Sequence, residues 1–153
     1  MKADFINPFL ISLLNVISTM AQLELKPGTP KRKVDEVARG DVSGLIGMVG
    51  PQHRGSLSIS FEKGLALEIM RRMLGETATT INEDVTDMVG EITNMVAGGA
   101  KRMLDEKGYE FGMATPIIVS GPSHTITHGA DGTKIMMPFE SEYGRATIEI
   151  CFE

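Results

Sequence analysis

The chain has no tryptophan, one cysteine, two tyrosines and no surplus of positive charge. Each shortage removes a class of explanation. A lone thiol, Cys151, cannot form an intrachain disulfide, which fits a reducing compartment. A net charge of −5 leaves no basic excess to neutralise phosphates, so nucleic acid is not expected as the main partner. The one basic run, Lys31-Arg32-Lys33, is followed at once by Asp35-Glu36 and reads as a solvated loop or strand edge. Long apolar runs are missing too. The stretch 9–20 is interrupted by Ser12, Asn15, Ser18 and Thr19, is too short and polar to span a bilayer, and shows no signal-peptide pattern. The expectation is a soluble, cytoplasmic protein.

What remains is ordinary globular material. At 153 residues, 42% of them hydrophobic, the chain can bury one real core but not two, so 1–153 reads as a single domain. Asn7-Pro8 predicts a helix start, with Asn7 as cap and Pro8 in the first turn. Phe9, Leu10, Leu13, Leu14, Ile17 and Met20 form the apolar face of that helix, and Ser12, Asn15 and Thr19 line the other. Pro27-Gly28-Thr29-Pro30 breaks the chain. Residues 42–49 and 56–61 predict a β-hairpin. In its second strand Leu57, Ile59 and Phe61 alternate with Ser56, Ser58 and Ser60, the pattern of a half-buried strand. Helical spacing runs from Leu65 to Leu74 and stops at Gly75.

Thr80-x-x-Glu83 predicts a capping box for a long helix over 84–104, closed near Gly108. Strand-like runs follow at 116–121, 124–128, 134–139 and 145–152, with turns at 130–133 and 142–144. The order is helix, strands, helix, then helix, strands. It predicts an α/β (α+β) fold made of a duplicated helix-plus-strands unit, with two long helices on one face of a shared sheet. Asn15 then corresponds to Asn94, and Ser12 to Glu91.

The long helix separates into two faces at 100° per residue. Met88, Ile92, Met95, Val96, Gly99 and Met103 point to the core, while Asp87, Glu91, Asn94, Gly98, Lys101 and Asp105 make a narrow polar stripe. Glu91 and Asn94, three apart, project from one patch. Gly98 on the same stripe would let another backbone come close. The spacing alone is weak, because most polar stripes are only solvated faces.

Other constellations are poorer. His124 and His128 in a strand would lie about 13 Å apart, too far to share a metal. His53 falls in a hairpin turn, and Cys151 lies opposite the isoleucines of the last strand as a structural thiol. That leaves Glu91 and Asn94. A carboxamide donates and accepts hydrogen bonds at once, which suits it to holding a water in line with a phosphorus atom. A carboxylate beside it can bind a lysine or arginine of a partner. Such a pair makes sense on a protein that completes someone else's active site.

Asp87-x3-Glu91-x2-Asn94 followed by Pro116 resembles the motif of the CheC/CheX/FliY family of bacterial chemotaxis phosphatases. The opening Phe5-Ile-Asn-Pro-Phe9 with Asn15, the 41–47 strand and Met73-Leu74-Gly75 are CheX-like in particular. The resemblance implies dephosphorylation of a CheY-type response regulator. Asn94 would orient the attacking water, Glu91 would pair with the regulator's lysine, and Asp87, Gly98 and Lys101 would touch the partner. The Mg²⁺ and the phospho-aspartate would belong to the regulator, so the chain would need no cofactor of its own. A homodimer is implied as well, and the apolar last strand ending at Phe152 reads as an edge that a second copy would cover. The rivals are a non-enzymatic receiver-binding or flagellar-switch-like module, and a metal-dependent hydrolase using His124 and His128.

Overall fold

The computed structural model describes residues 3–129 and 132–153. In chain order the elements are α1 (Ala3–Ala21), β1 (Lys26–Pro27), β2 (Lys31–Lys33), β3 (Val42–Val49), β4 (Arg54–Phe61) and α2 (Lys63–Leu74). Then come α3 (Glu83–Glu106), β5 (Gly112–Met113), β6 (Ile117–Ser120), β7 (Lys134–Glu140) and β8 (Ala146–Phe152). All strand pairs are antiparallel and join one sheet in the order β1-β7-β8-β4-β3-β5, with β2 also on β7 and β6 also on β3. The helices cover one face.

The duplication is visible in this order. β3 and β4 repeat as β7 and β8, and the two β4-like strands meet at the centre. The short strands of each half pair with the long strand of the other: β1 and β2 with β7, β5 and β6 with β3. α1 and α3 are the matching helices, and α2 is present only in the first half. Neither half therefore closes its own sheet, and both contribute to one core. The full burial of Phe9, Leu13 and Ile17 in α1 stabilises the fold by about 1.5–3 kcal/mol each.

Several expectations are corrected. α1 begins at Ala3, not at Asn7, and Pro8 lies inside it. Proline removes the N–H that would have reached the Asp4 carbonyl one turn back. Lys107 Nζ takes that carbonyl instead, at 2.6 Å. The gain is the burial of Phe5, whose ring meets Phe9, Tyr109, Phe111 and Phe152 at centroid distances of 5.0 to 6.0 Å. His53 joins the same cluster, 5.7 Å from Phe5. At 19 residues and a mean hydropathy of 1.3, α1 is long and apolar enough by composition to cross a membrane, against the sequence expectation. Its apolar face is nonetheless spent on the core: Phe5, Phe9, Leu13, Ile17 and Ala21 are all buried there.

The cap of α3 is Asn82, whose side chain accepts from Val85 N at 3.0 Å, rather than the Thr80 box. Gly75 does end α2, in the left-handed region at φ 70°. β8 is not an edge. It lies between β7 and β4 and is buried along its whole length. The turn expected at 142–144 is present, whereas Ala130 and Asp131 of the turn expected at 130–133 lie outside the described residues.

The back of the sheet differs most. Ser56, Ser58 and Ser60 are buried, so β4 is covered on both faces. The cover is the segment 121–129, which is no strand: one isolated bridge, Val37 with Thr125, ties it to the 36–38 loop. Ala38 N donates to His124 O, and Ile126 N to Glu36 O, so its backbone is satisfied by a loop. Lys33 is likewise not solvated. Its ammonium lies 2.6 Å from Glu149 Oε2, both side chains fully buried.

Candidate functional site on the third helix

The roll of α3 about its axis is fixed by Thr93. This residue is fully buried, and its hydroxyl donates back to Val89 O at 2.7 Å. Gly44 of β3 lies directly beneath it, and a methyl group at Gly44 would overlap the Thr93 hydroxyl. The helix therefore touches strand backbone at the residue before Asn94. With Ile92 and Thr93 driven into the core, Glu91 and Asn94 on either side must face outward, about 4.5 Å apart along the axis.

Both are exposed, as is Asp87, and none of the three has a hydrogen-bond or ion-pair partner among the described residues. Gly98 is half-buried with open space where a Cβ would point. Lys101, also half-buried, is engaged with Asp105 at 3.1 Å one turn on, so its charge is not free in the way that the carboxylates are. The stripe is thus assembled as read. The core face is not: Met95, Gly99 and Met103 are only half-buried, and Val85, Val89, Ala97, Ala100 and Leu104 complete the buried side instead.

The reason is α1. It packs along α3 so closely that Ser12, expected on a polar face, is buried and donates its hydroxyl to Val96 O at 2.8 Å. A side chain at Gly99 would collide with the Ser12 hydroxyl. The two helices leave an open groove, bordered on α1 by Asn15, Val16 and Met20 and on α3 by Met95, Gly98 and Arg102. Arg102, exposed and unpaired among the described residues, was not singled out from the sequence. Its spacing of four from Gly98 and eight from Asn94 was the available signal.

The histidines are occupied elsewhere. His124 Nε2 lies 2.7 Å from Ser43 Oγ and its Nδ1 2.7 Å from Gly121 O. His128 bridges Ser56 Oγ at 2.5 Å and Glu149 Oε1 at 3.2 Å. Burial pushes the Glu149 carboxyl up, but the hydrogen bonds from His128 and Lys33 outweigh it and hold the group below its usual range. Both rings thus fasten the 121–129 cover to the sheet, and no cluster of three or more metal-ligating side chains occurs among the described residues.

Fold and site together define a class: a duplicated α/β domain that offers a free carboxylate and carboxamide on an exposed helix rather than inside a pocket. The chain belongs to the CheX family of chemotaxis phosphatases, whose family model matches residues 42–140. It is 67% identical to the chemotaxis protein CheX of Vibrio vulnificus, with a TM-score of 0.93 over 99% of this chain and 100% of that one. The CheY-P phosphatase CheX of Thermotoga maritima is 28% identical over 122 residues, 79% of this chain and 78% of its own. The fold is shared also with the CheX of a CheX–CheY–BeF₃–Mg²⁺ complex from Borrelia burgdorferi, with TM-score 0.83, 23% identity and 99% of each chain covered.

Proposed function

We propose that this chain accelerates hydrolysis of the phospho-aspartate of a CheY-type receiver domain, and that Glu91 and Asn94 carry the reaction. The observation behind the reading is the free, outward-facing pair on α3, backed by Thr93 and Gly44, in a chain of this family. Asn94 enters the receiver's site. Its carbonyl oxygen accepts from the attacking water, and its amide donates to a phosphoryl oxygen. The water oxygen bonds to phosphorus as the bond from phosphorus to the aspartate oxygen breaks. Aspartate leaves as carboxylate, and the water's protons remain with the phosphate product. Glu91 pairs with a receiver lysine and fixes the approach. Asp87, Gly98 and Lys101 make further contacts.

The energetic demand is modest because an acyl phosphate hydrolyses unaided. A 10²–10³-fold acceleration corresponds to about 3–4 kcal/mol, which one oriented water and one charge pair can supply. In this scheme the chain brings no metal, and Mg²⁺ stays with the receiver. The protein acts in the cytoplasm as a homodimer. β8 cannot be the joining edge, but Val49 (63% exposed) and Ile117 (62%) leave apolar surface near the β5 and β6 edge for a second copy.

The test is loss of phosphoryl group from CheY-type receivers at one chain per many receivers. Repeated turnover is expected. Loss limited to stoichiometric amounts, or none, would instead favour a binding module that only sequesters the receiver.

A further inference from the structure

We infer that the groove between α1 and α3 seats the receiver itself, with Arg102 as a second charged anchor that sets the partner's direction along α3; this rests on the reading of Glu91 and Asn94 above. The groove, about 540 Å³, is open along its length, which suits a ridge of another protein rather than an enclosed small molecule. It is continuous with the working stripe, since Met95 follows Asn94 directly and Gly98 lies one turn further on. The floor is preformed. Ser12 is bonded to Val96, and Gly99 leaves no room between the helices, so the groove neither opens nor closes without breaking that contact.

The lining fits a partner of mixed chemistry. Met20 is 39% exposed, Met95 and Met103 are half-buried, and such flexible thioether side chains adapt to an incoming apolar residue. Gly98 has nothing within 4 Å of its missing Cβ, so the apolar residue meets helix backbone there. Glu83, Asp84, Asp87 and Glu91 are all exposed carboxylates toward the start of α3. Toward its end the groove carries both signs: Arg102 is exposed and makes no ion pair among the described residues, and Glu106, an exposed carboxylate, lines the groove one turn on. Lys101 beside Arg102 is already neutralised by Asp105. Glu91 and Arg102 lie on opposite sides of Asn94, Arg102 being about 12 Å along the axis from it. A partner with a lysine at one end and a carboxylate beside an apolar side chain at the other can dock in one direction only. That direction presents its phosphoryl group to Asn94. Arg102 is a positioning residue, since it touches no reacting atom.

The experiment measures kcat and KM with a phosphorylated CheY-type receiver, and direct binding of the same receiver loaded with beryllofluoride and Mg²⁺. Arg102→Glu should raise KM about tenfold or more while kcat stays within about twofold, and the salt dependence of KM should weaken. Arg102→Lys should recover most of the loss. Gly98→Leu should raise KM by filling the groove, and thermal melting of each variant reports whether the fold is kept. Should Asn94→Ala abolish turnover while Arg102→Glu and Gly98→Leu leave KM and binding unchanged, the groove inference is wrong and the proposed function stands. An equal fall in kcat at constant KM for Arg102→Glu would also overturn it. If Asn94→Ala keeps full turnover, the proposed function itself fails, and the docking direction argued from it fails too.

Discussion

Asn94 and Asn15 are the same residue type at matching places in two repeats, yet their surroundings differ. Asn94 has the free Glu91 one turn before it, whereas Asn15 has Ser12, which is buried in a bond to Val96. Asn94→Ala should therefore remove assisted dephosphorylation with the circular dichroism spectrum unchanged, because the side chain is exposed and has no hydrogen-bond or ion-pair partner among the described residues. Asn94→Asp should fail as well, since a carboxylate cannot donate the amide hydrogen bond and is repelled by phosphoryl oxygens. Asn15→Ala should leave kcat within about twofold; a loss equal to that of Asn94→Ala would show that both helices enter the partner's site. On the far side of the sheet, Glu149→Ala leaves the buried Lys33 ammonium without its carboxylate and should cost about 3–5 kcal/mol in denaturant unfolding. Turnover per folded molecule should be unaffected, as the cluster lies on the face opposite α3.

At the level of the elements, two small residues decide where the helices sit. Gly44 brings β3 against Thr93, and Gly99 brings α1 against α3. Gly99→Ala should be clearly destabilising, by about 1–3 kcal/mol, because the methyl must displace the Ser12 hydroxyl. Part of that loss should return in the double variant with Ser12→Ala, read as a coupling energy in a double-mutant cycle. Gly98 is the contrast. Its missing side chain faces open space, so Gly98→Ala should raise stability by up to about 1 kcal/mol through helix propensity alone. A helix that keeps a glycine there forgoes that gain at a position facing the groove.

The whole molecule should lose stability in acid, because two of its carboxyl groups are held below their ordinary range. Hydrogen bonds from Arg71 and then Arg72 hold Glu68 of α2 at about 2, against an ordinary 4.5. Glu149 is also held below its ordinary value. The folded chain therefore binds fewer protons than the unfolded one over this range. The stabilisation is complete above the ordinary carboxylate pKa and disappears as pH falls toward 2. Denaturant titrations from pH 6 down to pH 2.5 should show a falling midpoint, with a flatter fall in Glu68→Gln. Light scattering at micromolar concentration should give the mass of a dimer, and a monomer mass would refute the proposed assembly.

The parts that can be read from the chain alone are those whose cause is local. The 3.6-residue periodicity of 84–104 separates stripe from core, the alternation in 42–61 makes the hairpin, and Gly75 stops α2 because a left-handed residue there favours glycine. The pair at Glu91 and Asn94 was legible for the same reason, since three residues on a helix always share a patch. How the pieces close on one another follows from contacts between segments far apart in the chain. A serine at position 12 or 56 reads as polar and outward until a neighbouring carbonyl or imidazole satisfies it inside. Lys33 reads as solvated until Glu149, distant in sequence, pairs with it. The last strand reads as an edge until β4 and β7 flank it. The groove beside Arg102 exists only because Gly99 lets α1 come close. Such contacts depend on which segments meet, and periodicity within one segment carries no record of its partner in another.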